Sequence, residues 1–236
     1  MSGLGAGLGV LGAAAVLGVT HALEPDHAAG ISALTSDADR WTHAAFVGGS
    51  FAVGHVLVVV AWVAGLTLLG TAASAVPAVV DEFGHLVAAG ILVAVAALLA
   101  VTGVRRLRGR SARPTPEDAS NLVGRLLSRL HVHLHSHSHE TRADYLRTGV
   151  VGSLFALSPP VSMLALVSAV LPTAGLSATA ASVGVYAVAL TVTMVVVGTG
   201  LGSAFTAARQ RGRHAHAAVE LTASVVVLAF AVQLVA

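Results

Sequence analysis

The 236-residue chain has no cysteine, no lysine, only 4% aromatic residues and only 10% charged ones. Without thiols it can form no disulfide, no thiolate metal site and no relay of reducing equivalents through paired cysteines. Any ion it binds therefore meets nitrogen and oxygen ligands. A soluble domain carries roughly a quarter charged residues. So few polar side chains cannot coat a globule of this size, which excludes an ordinary water-soluble enzyme. Hydrophobic residues make up 56% of the chain and the mean hydropathy is +0.84, so lipid is its expected solvent.

The basic residues are 13 arginines against 11 acidic residues, a formal charge of +2. Nine of those 13 fall between Arg105 and Arg147, so they mark one loop and not a basic face, and nucleic acid is excluded as a partner. Twelve histidines are the unusual abundance. The apolar stretch Met1 to Thr20 lacks a cationic flank and a cleavage site, so it reads as a retained helix and not a signal peptide.

A spanning helix needs about 20 mostly apolar residues. Six stretches qualify: Gly3 to about Leu34, Trp41 to Gly70, Gly84 to Val104, Thr148 to Leu171, Leu176 to Phe205 and Ala217 to Ala236. The loops after the first, third and fifth hold 1, 9 and 3 arginines, and the remaining loops and termini hold none. By the positive-inside bias those three loops are cytoplasmic and both termini lie outside the plasma membrane. Small residues four apart (Gly5/Gly9, Ala44/Gly48/Ala52 and Gly198/Gly202) permit close helix approach in lipid.

The expected class is thus an all-α membrane protein of six transmembrane helices. It divides into a first three-helix half (1–104), an Arg/His-rich cytoplasmic loop (105–147) and a second half (148–236). Within the loop, Thr115-Pro116-Glu117-Asp118 reads as a helix start, and Leu122, Leu126, Leu127 and Leu130 follow at helical spacing, as in a helix lying on the membrane surface. The halves echo each other. Ala22-Leu23-Glu24-Pro25 aligns with Ala156-Leu157-Ser158-Pro159, and Phe51-Ala52-Val53-Gly54 with Tyr186-Ala187-Val188-Ala189, at almost one offset. That pattern predicts a 3+3 inverted repeat in which proline breaks helices one and four, the arrangement that builds transporter substrate sites.

His21, Glu24, Asp26 and His27 place four ionisable groups inside an apolar span. An ionised Asp at mid-bilayer costs about 2.5–3.5 kcal/mol on the insertion scale, so this segment should face the protein interior. On a regular helix His21, Glu24 and His27 share one face and Asp26 turns away. Pro25 lacks an N–H, so it should free the His21 carbonyl and bend the helix until Asp26 also turns inward. Imidazoles, carboxylates and a carbonyl would suit nickel, cobalt or zinc. Alternatively the same groups pair with one another or cap a helix that ends near Pro25. His55, beside Gly54 on the next helix, either joins them or packs as a satisfied core histidine.

His21-Ala22-Leu23-Glu24-Pro25-Asp26-His27-Ala28 resembles the signature of the nickel/cobalt transporter family, His-Ala-x-Asp-Ala-Asp-His-Ile. Phe51-Ala52-Val53-Gly54-His55 is similar to the Phe-Ser-Leu-Gly-His that the family carries on its next helix. The resemblance implies passage of Ni²⁺ or Co²⁺ as substrate, with no prosthetic group, and puts His21, Asp26, His27 and His55 in the metal-recognition positions. Glu24 stands where the family has Asp, Pro25 where it has Ala, and six spans replace eight. The shorter branch with a histidine-rich loop, which includes exporters, is nearer.

In the long loop, His131, His133, His135, His137 and His139 alternate along an extended segment that could capture a cytoplasmic metal ion, or serve only as a polar linker. Ser158, Pro159, Ser162 and Met163 are the second half's candidates for lining the path. His214, His216 and Glu220 stand at helical spacing near the inner end of helix six, as a metal path or an interfacial cap. His43 and His85 receive no role. The expected partners are the bilayer and a divalent transition-metal ion, with a second copy of the chain left open. The reading is a transporter, with efflux favoured over uptake. A membrane metalloenzyme is the alternative from another class, but the chain has no His-Glu-x-x-His and no Gly-x-Ser-x-Gly. An exporter of an unrelated small solute is the other.

Overall fold

The computed structural model describes residues 2–36, 38, 40–68, 78–109, 142–157 and 161–235. Among them the chain is entirely helical: α1 (Ser2–Ala22), α2 (Pro25–Thr35), α3 (Trp41–Leu68), α4 (Ala78–Leu107), α5 (Arg142–Phe155), α6 (Val161–Gln210) and α7 (Arg213–Gln233). Large apolar side chains such as Phe46, Leu57, Val188, Val196 and Val225 point outward. Such helices are apolar all round, as lipid-immersed helices must be when no water exists to reward a polar face.

Four described helices are long and apolar enough to cross a membrane, and a fifth span is added if α1 and α2, bent by 55° at their junction, are one broken crossing. The described residues thus give four to five spans where six are expected, and the difference lies in the second half. The expected fourth span, Thr148 to Leu171, is interrupted: α5 ends at Phe155 and a new helix begins only at Val161. α6 has 50 residues, about 75 Å of helix against a hydrocarbon core of about 30 Å. Its helical geometry fails at Gly175 (φ 79°, ψ 179°), three residues after Pro172, where the sequence divides the fourth and fifth spans. The loop helix expected over Leu122–Leu130 and the alternating histidines lie outside the described residues.

The principal packing pairs are α4 with α7, α3 with α6 and α5, and α1 with α6. Contact between bare backbones makes several of these approaches. A Cβ on Gly54 would collide with the Gly149 carbonyl of α5, and one on Gly198 with the Ala44 carbonyl of α3. The Ala44/Gly48 and Gly198/Gly202 steps thus meet each other across α3 and α6, whereas Gly9 faces open space. Close backbones let dispersion act over many atoms where lipid supplies no hydrophobic drive.

The arginine-bearing ends converge. Arg209 donates to the Ser36 carbonyl after α2 (3.2 Å), and Arg106 at the end of α4 places Nε 3.0 Å from both carboxylate oxygens of Glu220 on α7. Glu220 is buried, with His216 Nε2 3.5 Å away one turn earlier. Glu220 therefore ties α7 to α4 at this end through Arg106.

Candidate metal centre

The centre begins with a helix that stops. α1 ends at Ala22, and its last turn closes when the Glu24 N–H donates to the His21 carbonyl at 3.0 Å. This corrects the freed carbonyl expected from Pro25. The chain does not kink within one helix; it ends one and starts another, so a tighter turn takes up the oxygen that proline leaves. Glu24 then adopts extended geometry (φ −57°, ψ 141°) as the N-cap of α2. Pro25 occupies the first helical position, where its missing N–H costs nothing because that donor has no intrahelical partner. Asp26 sits in the first turn, where the helix dipole favours an anion, and its Oδ1 accepts from the His27 N–H at 2.9 Å.

Across the break the three imidazoles meet. Ring centroids are 4.6 Å apart for His27–His55, 4.8 Å for His21–His27 and 5.2 Å for His21–His55. Nitrogen atoms from the three rings all lie within 4.8 Å of one another. His21 Nε2 and His55 Nε2 are 3.1 Å apart, so one ring N–H donates to the other's lone pair. Two nitrogens bound to one ion at about 2.0–2.1 Å, at right angles, would stand about 3 Å apart. The outer nitrogens face carboxylates: His21 Nδ1 is 2.8 Å from Glu24 Oε1, and His27 Nδ1 is 3.0 Å from Asp26 Oδ1. His27 Nε2 is buried without a hydrogen-bond partner, as are His27 Nδ1, despite its closeness to Asp26, and His55 Nδ1. Buried polar atoms are rarely orphaned, and an imidazole nitrogen without a donor nearby is what a cation would satisfy. A second grouping, Glu24, Asp26 and His27, brings ligand atoms together on the more exposed side.

The walls are apolar. Phe51 and Phe155 lie 5.5 Å apart, with His27 6.2 and 6.4 Å from them. Gly54 lets α5 press against α3 beside His55, which fixes the height of that ring. At the end of α5, Trp62 Nε1 donates to the Ala156 carbonyl at 3.2 Å, filling an acceptor that the interrupted helix exposes. A cavity of about 490 Å³ opens from the break, lined by His21, Glu24, Asp26 and His27 together with His85, Ser162 and Gln233.

The structure therefore brings together His21, Glu24, Asp26, His27 and His55, and places Ser162 on the cavity wall. Met163, one position further on, is fully buried in the hydrophobic core and is not among the residues lining this cavity. Ser158, Pro159 and the histidines at 131, 133, 135, 137 and 139 lie outside the described residues. Sequence reasoning gave no role to His85 of α4, Gln233 of α7 or Tyr186 of α6, whose ring lies 6.1 Å from that of His21. For Tyr186 a signal existed, since it aligns with Phe51 in the internal repeat. For His85 none did, because only tertiary contact brings α4 to the break.

A family profile described as high-affinity nickel-transport protein matches residues 7–158. That stretch contains both histidine motifs and the helix break. No curated protein and no solved structure shows significant similarity to the chain.

Proposed function

From the premise that the chain belongs to the high-affinity nickel-transport protein family, we propose that it carries Ni²⁺, and Co²⁺ alongside it, through a centre built at the α1–α2 break. The family is one of transporters, so the protein is a transporter and not an enzyme. His21, His27 and His55 are the ligands through Nε2. Glu24 and Asp26 hold the outer ring nitrogens, raise ligand basicity and present carboxylate oxygens to an ion arriving through the cavity. The observation that carries this reading is the buried His27 Nε2, which has no hydrogen-bond partner and stands between two further imidazoles.

The three arginine-bearing loops face the cytoplasm, and the two halves form an inverted repeat whose relative motion exposes the centre to each side in turn. Both α1 and α5 stop at the aligned residues Ala22 and Phe155–Ala156, which supports that symmetry. Efflux is favoured, because the alternating histidines of the 105–147 loop would then gather metal on the side it leaves from. The test is the nickel and cobalt content of cells expressing the intact chain, His27→Ala, or a version with the five loop histidines replaced by Ser. Depletion by the intact chain and its loss in His27→Ala support an exporter, while accumulation reverses the direction. Metal content unaffected by the intact chain would instead favour a different small solute.

A further inference from the structure

The three imidazoles come from α1, α2 and α3, all in the first half of the chain. Two aromatic side chains of the second half reach them, Phe155 beside His27 and Tyr186 beside His21. Tyr186 is completely buried, and its ring lies 6.1 Å from that of His21, inclined by 27°. A backbone contact fixes its place: a Cβ on Gly18, one turn before His21, would strike the Tyr186 carbonyl. Yet the Tyr186 hydroxyl has no hydrogen-bond partner.

A phenol oxygen sealed in an apolar interior with nothing to bond is costlier than the hydrogen a phenylalanine would put there. The internal repeat makes the comparison within one chain. At the aligned position the first half has Phe51, which packs against His27 and serves that wall with no hydroxyl. The hydroxyl of Tyr186 is therefore not needed for packing. The ring that carries it stacks beside His21, whose Nδ1 is 2.8 Å from Glu24 Oε1. Three imidazoles leave a Ni²⁺ or Co²⁺ ion with open positions for oxygen ligands.

Resting on the function proposed above, we infer that Tyr186 is a positioning residue for the metal centre. Its O–H donates to an oxygen in the coordination sphere of the ion held by His21, His27 and His55, either a retained water or the Glu24 carboxylate. Through that bond α6 detects whether the centre is filled, which gives the second half a contact that forms only with the ion present.

The experiment uses the purified full chain, titrated with Ni²⁺ by calorimetry and with Co²⁺ followed by its visible spectrum, alongside thermal unfolding without metal. Tyr186→Phe should weaken binding of both ions by about 10- to 100-fold, the range for partners of a metal ligand, and shift the Co²⁺ bands. Its metal-free unfolding temperature should stay level or rise. Unchanged affinity and spectrum overturn the inference, as does a fall in affinity matched by lower metal-free stability, which marks a packing role. Repeating the substitution on a Glu24→Gln background identifies the acceptor: no added loss points to the Glu24 carboxylate, and the full loss points to water. If the intact chain binds neither ion, the proposed function fails; if it binds both and Tyr186→Phe matches it, only this inference fails.

Discussion

Asp26 meets the imidazole cluster through its neighbour His27, and that makes it informative. Its carboxylate lies 3.0 Å from His27 Nδ1 while Nε2 points inward. Asp26→Asn keeps the shape but removes the charge that orients the ring and strengthens its basicity. Nickel affinity by calorimetry should fall about 10- to 100-fold, with little change in the folded content of the protein. Protons compete for the same nitrogens. A protonated imidazole has no lone pair for a metal, so acid should weaken nickel binding. Calorimetric titrations at successively lower pH check this, and an affinity that never declines while the protein stays folded would remove the imidazoles from the ligand set.

Among the elements, the break between α1 and α2 and the α3–α5 contact decide how the rings meet. Pro25 and the ionisable residues around it make the break legible in sequence, because proline starts a helix far more readily than it continues one. What was not legible was the way the chain closes off the His21 carbonyl, since that depends on the Glu24 N–H turning back by one tight bond. The height of His55 depends on Gly54, where the α3 and α5 backbones touch. Gly54→Ala should therefore lower thermal stability by about 1–3 kcal/mol, the usual cost of overpacking, and weaken nickel binding as His55 is displaced. Gly9→Ala adds its methyl to open space and should leave stability level or raise it by up to about 1 kcal/mol. Unfolding of both variants in detergent tests the contrast.

For the whole molecule, the arginine count along the loops predicts that one end faces the cytoplasm. Ser36 and Arg209, and Arg106 and Glu220, meet at one end although they are far apart in the chain. If that end is cytoplasmic, a membrane-impermeant maleimide added to intact cells should label Ser74→Cys, in the loop after α3. Ser120→Cys, in the long loop, should react only after permeabilisation. The natural absence of cysteine makes each introduced thiol the sole target.

Hydropathy and the histidine motifs were enough to specify a helical membrane protein and to single out His21, Glu24, Asp26, His27 and His55, which the fold brings together. Both signals are local: an apolar run reports its solvent, and a charged group in that run must face inward because lipid cannot solvate it. Which nitrogens point inward, that Met163 packs in the core while Ser162 lines the cavity, and that His85, Gln233 and Tyr186 stand around the break were settled only by folding. In a chain so rich in Ala, Val, Leu and Gly, one apolar face looks much like another. Side-chain pattern does not choose the helix pairs; backbones do, by meeting where glycine lets them, and those meetings join positions that no sequence spacing connects.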